Sequence, residues 1–147
     1  MTEAQTILRK TWMATLAKAP PQRLAALMPD LPPHTPLRAP EIGAVMVRGR
    51  AGGTGEAFNL GEMTVTRASV RLDCGTIGHA WVQGRDKGHV LRAAVADALM
   101  QTDAAPAVQA GVIAPLAAEA AAAARARAET AATTKVDFFT MVRGEDK

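Results

Sequence analysis

The chain has 147 residues, enough for one domain with its own core, and at 48% hydrophobic and 21% charged it is too apolar for wholesale disorder. A single cysteine excludes a disulfide framework and any cysteine-based zinc or iron–sulfur site held by this chain alone. The net charge of +3 is too mild to imply nucleic-acid binding, but it is uneven: residues 38–92 hold eight basic and five acidic groups, residues 93–147 five and seven.

A basic central block suits a local anion site better than a polyanion track. Aromatics are 3% of the chain with no tyrosine, so Leu, Val, Met and Ala must fill the core. No apolar run reaches the roughly 18 residues that cross a bilayer. The N-terminus lacks the apolar stretch of a secretory signal. The expected compartment is therefore cytoplasmic, with no membrane partner.

Two N-terminal helices are expected within about 4–29. The first covers 4–18, with Ile7, Leu8, Trp12 and Leu16 near one face. Pro20 and Pro21 end it, and Pro21 opens a second over 21–28 with Leu24 and Leu27 inward. Four prolines between 32 and 40 then leave an extended loop or an edge strand. A sheet is expected over about 41–84, from strands at 43–49, 56–60, 62–73 and 76–84 joined by hairpin-length connections.

Asp86 is placed to cap a helix over 87–101, with Leu91, Val95, Ala98 and Leu99 as its apolar stripe. Residues 104–116 look like a broken connector. Residues 117–132 include eleven alanines and should be helical by propensity. The tail 135–144 is strand-like. The fold class is α+β: a single domain, 1–147, with an antiparallel β-meander of three to five strands packed with N-terminal and C-terminal helices.

Several residues carry possible chemistry. Gly52, Gly53 and Gly55 lie in a turn whose N–H groups can surround a phosphate or simply close a hairpin; no Walker loop is present. Arg67 and Arg71, four apart on a strand, share a face with Ser69 and make a candidate dianion clamp. The competing reading is a solvated face paired with an acid on a neighbouring strand. Arg85, Lys87 and His89 concentrate positive charge at a helix N-terminus, which already attracts anions.

His79 shares a face with Trp81 and reads as a packed or surface residue. Cys74 has no histidine nearby in sequence, so no nucleophile, triad or other catalytic residue is assigned, and no metal site is expected. Phe138, Phe139 and Arg143 in the tail either complete the sheet or dock on a partner. Nucleic-acid binding is not expected, because only Phe58 and Trp81 interleave the basic block.

The segments RKTWMATLA, GGTGEAF, TVTRASVRL, GTIGHAWVQGRDKGH, DALMQ, IAPL and KVDFFTMVRG occur in this order. From about residue 9 to 144 the chain resembles the G-subunit (PhnG) family of the bacterial carbon–phosphorus lyase system for phosphonate breakdown. The resemblance implies a cytoplasmic core complex with H, I and J subunits, aided by an ATP-binding-cassette-type L subunit. It implies a transferase step in which methylphosphonate displaces adenine from MgATP, giving α-D-ribose 1-methylphosphonate 5-triphosphate. MgATP is then a substrate of the complex, and this chain alone holds no cofactor. The resemblance also implies that radical cleavage of the C–P bond belongs to the J subunit. The anion-site residues are a reading of this sequence and do not come from the family. The alternative is a non-catalytic assembly subunit that shapes an active site on the I subunit.

Overall fold

The first helix, α1 (Glu3–Lys18), opens with a reciprocal cap. The Thr2 hydroxyl accepts from the Gln5 N–H at 3.3 Å, and the Thr2 N–H donates to Gln5 Oε1 at 2.8 Å. In this computed structural model, which describes residues 2–134, α2 (Pro21–Leu27) follows, with proline where a helix lacks a partner for its N–H anyway. Three strands, β1 (His34–Arg50), β2 (Ala57–Leu72) and β3 (Ile77–Gln83), form one antiparallel sheet in that order. Helix α3 (Lys87–Leu99) comes next. A last helical stretch runs through α4 (Ala105–Val108), a π-helical turn (Gln109–Ile113) and α5 (Ala114–Thr133). The class is α+β, as the pattern of residues implies. Phe138, Phe139, Arg143 and the tail strand lie outside the described residues.

Three departures from the sequence reading have local causes. The strands expected at 56–60 and 62–73 are one strand. Gly61 stays paired with Val47 beside a bulge and does not end the ladder. The proline-rich segment is the start of β1. Its prolines are tolerated because β1 is an edge strand and its register shifts at Pro36/Arg38 and Arg38/Glu41. Residues 105–133 are continuously helical. Pro106 and Pro115 each sit in the first turn of a helical piece, and the π turn absorbs Gly111 just before Pro115.

That last stretch also exceeds the apolar length expected from sequence. An 18-residue window within Ala105–Thr133 reaches a mean hydropathy of 1.4, long and apolar enough to cross a membrane by length and composition alone. Its apolarity comes largely from alanine. Its first turns are built into the core by Val112, Ile113 and Leu116.

Helix α3 packs on one face of the sheet, against Ala68, Val70 and Leu72 of β2 and Ala80 and Val82 of β3. The expected stripe is too narrow. Residues Ala93–Ala98 are all buried, while Leu91 and Leu99 sit at the rim. The helix is enclosed by the sheet on one side and by α1 and α2 on others. Ile7 and Leu8, expected inward, are exposed, whereas Leu16 further along α1 is fully buried. The hairpin of β1 and β2 outreaches β3, whose last pairing is Gln83 with Val65. Beyond that point it is a two-stranded arm.

Candidate functional site

The face of the sheet away from α3 is polar. Antiparallel pairing places directly opposed residues on one face, and the register builds three rows across the strands. They are Thr35–Arg71–Ile77, Arg38–Ser69–His79 and Glu41–Arg67–Trp81. The bulges in β1 bring Arg38 and Glu41 to the same side, which strict alternation would not do.

Glu41 organises the charge. Its Oε1 accepts from Arg67 Nε and from Arg38 Nη1, the latter at 2.8 Å. The Arg67 guanidinium also lies over the Trp81 ring, 5.4 Å from its centroid. Hydrogen bonds from Arg67, then Arg38, hold the Glu41 carboxyl below its ordinary value. A depressed carboxylate adds stability above its unfolded value and loses it as pH falls through the folded one. Protonation of Glu41 in acid therefore removes the counter-charge that Arg67 and Arg38 share. The Glu41 side-chain 13C resonance is expected to titrate below that of glutamate in a peptide; a titration at or above the peptide value would contradict the pairing.

The middle row holds a second contact, Ser69 Oγ to His79 Nδ1 at 2.8 Å. Behind it sits Asp97 of α3, with no solvent exposure. Its carboxylate accepts from Arg9 Nε at 3.1 Å and Nη2 at 2.6 Å, from Trp12 Nε1 at 2.9 Å and from the His79 backbone N–H at 2.9 Å. One buried carboxylate thus ties α1, α3 and β3 together. It meets the backbone of His79 and not the ring, so Ser69, His79 and Asp97 are not a relay of the serine-hydrolase kind. A shallow depression of about 580 Å³ lies among Arg9, Arg38, Ser69, His79 and Gln101. It offers a hydroxyl, an imidazole and guanidinium groups to an anion. Arg71, one row away, is exposed and has no acidic partner among the described residues.

The residues singled out from sequence separate into four places. Arg67, Ser69 and Arg71 do share a face, and an acid on the neighbouring strand does engage Arg67. Gly52 and Gly53 adopt φ of 59° and 80° in the tip of the arm, where Arg50 Nη1 donates to the Gly55 carbonyl at 3.1 Å. That tip is more than about 35 Å along the strands from Arg67 at roughly 3.3 Å per residue, so these glycines and the arginine pair cannot form one site. Arg85 and Lys87 are exposed where α3 begins, outside the depression.

His89 is buried. Its N–H donates to the Asp86 cap at 2.8 Å, and its Nε2–H donates to the Leu16 carbonyl at 2.8 Å. The ring is committed to joining α1 and α3 and does not face an anion. His89→Ala should cost about 1–3 kcal/mol in urea unfolding, because it strands the Leu16 carbonyl. An unchanged midpoint would remove that role. Cys74 is exposed, and its hydrogen bond with the Thr76 side chain is the chief cause holding the thiol below its ordinary value. Among the described residues no three His, Cys, Asp or Glu side chains gather as a metal site.

Against this geometry, the family model described as phosphonate metabolism protein PhnG matches residues 8–144. The chain belongs to the PhnG family. A relative from Rhizobium meliloti (strain 1021) is 47% identical over 141 residues, which is 94% of this chain and 90% of the relative. It is named alpha-D-ribose 1-methylphosphonate 5-triphosphate synthase subunit PhnG. The span matched by the PhnG model contains the Asp97 clamp, all three rows and the arm.

Proposed function

We propose that this chain is a subunit of the cytoplasmic assembly that makes α-D-ribose 1-methylphosphonate 5-triphosphate from MgATP and methylphosphonate. The observation that carries this is the 47% identity to a synthase subunit across nearly the whole of both chains. In the reaction a phosphonate oxygen forms a bond to ribose C1′. The bond from C1′ to the adenine nitrogen breaks, and adenine leaves with a proton. The H, I and J subunits and the ATP-binding-cassette-type L subunit are the expected partners. MgATP enters as substrate.

Both substrates are anions. Displacement at C1′ is helped more by positioning and charge than by a nucleophilic side chain. Arg38, Arg71, Ser69 and His79 supply donors for phosphonate or phosphate oxygens without any group needing to become covalently engaged. Arg38 and Arg67 share the single Glu41 carboxylate, which leaves the pair with net positive charge, and Arg67 also braces Trp81.

The double variant Arg38→Ala/Arg71→Ala is expected to slow adenine release by the assembled subunits by about ten- to a hundredfold, the loss of one or two charged hydrogen bonds. Assembly should be unchanged. An unaltered rate would favour a second reading, an assembly subunit that shapes a partner's active site. The exposed apolar residues of the arm support that reading.

A further inference from the structure

We infer that the β1–β2 arm inserts into a cleft of a different subunit, one that grips both of its faces and offers a basic side chain to Glu62. This rests on the reading of the chain as part of a multi-subunit assembly.

The arm is apolar on both sides. Ile42 at the base of the arm and Met46 on it, four apart on β1 with no register shift between them, lie on the face that α3 covers further in. Their cross-strand partners are Thr66 and Glu62. The bulge at Val47/Arg48 adds its extra residue to β2, so β1 keeps strict alternation. Gly49 therefore belongs to the opposite face. Phe58 pairs with it, and Leu60 Cβ lies 3.8 Å from where a Gly49 side chain would begin. Ile42 and Met46 thus leave one face and Phe58 and Leu60 the other. Met46 is 52% exposed and Leu60 66%. A two-stranded ribbon alone is marginal in water, and large apolar side chains on both of its faces mark a surface meant to be covered.

A second copy of this chain fits poorly. Two arms related by a two-fold axis cover one face each and leave the other bare. A cleft in another chain covers both faces, and a Lys or Arg in its wall satisfies Glu62.

The test co-produces the full chain with the H, I and J subunits. Met46→Glu and Leu60→Glu, one on each face, should each weaken co-purification by about thirtyfold or more, as loss of a central anchor does. Glu62→Lys should weaken it by about tenfold. The isolated variants should melt as wild type does, because these side chains are exposed in the free chain. Photo-crosslinkers at 46 and at 60 should both join peptides of one other subunit. Wild-type assembly by both glutamate variants, or crosslinks between two copies of this chain, would overturn the inference. If wild-type chain co-purifies and is needed for adenine release while the variants assemble normally, only the arm proposal fails. If wild-type chain neither co-purifies nor is needed, the subunit reading fails with it.

Discussion

Replacing Gly78 with alanine is expected to destabilise the domain by at least about 3 kcal/mol, at the upper end of what overpacking causes. Gly78 is buried on β3 where α3 lies closest to the sheet. A Cβ there would stand 2.6 Å from the Ala98 amide nitrogen and 2.8 Å from the Ala98 Cβ, and nearer still to the Ala94 carbonyl oxygen. Two of those atoms are helix backbone and cannot rotate away. The helix must retreat from the strand, which opens the contacts of Val70 and Val82. The same retreat pulls Asp97 from the His79 N–H, now 2.9 Å away. Urea unfolding of the purified chain measures the effect. A loss below about 1 kcal/mol would mean that α3 does not pack on β3 at this distance.

Removing the Asp97 carboxylate should cost a similar amount, about 3–5 kcal/mol for Asp97→Ala, because the partners of a buried pair are left behind. Arg9, mostly buried, loses its counter-charge, and the Trp12 indole N–H and His79 amide lose their acceptor. Asp97→Asn keeps the shape and one acceptor oxygen, so it should lie between wild type and alanine. A combined Asp97→Leu/Arg9→Met change removes both charges and should be milder than Asp97→Ala. Equal losses for these two changes would show that the stranded Trp12 and His79 N–H groups, and not the Arg9 charge, set the cost.

Much of the fold is legible along the chain, because its signals are local. The paired prolines at 20–21, the Asp86 cap and the period of two in TVTRASVRL each act within a few residues. That same period places Arg67, Ser69 and Arg71 on one face before any coordinates are known. The partner of Arg67 is another matter. It depends on two bulges near Pro36 and Pro40 that shift the register so that Glu41, and not another β1 residue, stands opposite.

Asp97 is hidden for a related reason. In the run AAVADAL a lone acid reads as the solvent side of a helix, and only enclosure of α3 by the sheet and α1 reverses that. Its signal in sequence is weak: Arg9 and Trp12, three apart on α1, point to one face and have no local acid to meet. His89 misleads in the opposite sense, since its place beside Arg85 and Lys87 suggests charge while the fold uses its ring as a buried donor. Pro106, Gly111 and Pro115 look like breaks until a π turn accommodates them.

The most direct measurement is adenine release from MgATP and methylphosphonate by the reconstituted subunits, with this chain omitted and then restored. The account predicts that release and the triphosphate product vanish on omission and return on addition. Undiminished release without the chain would contradict it.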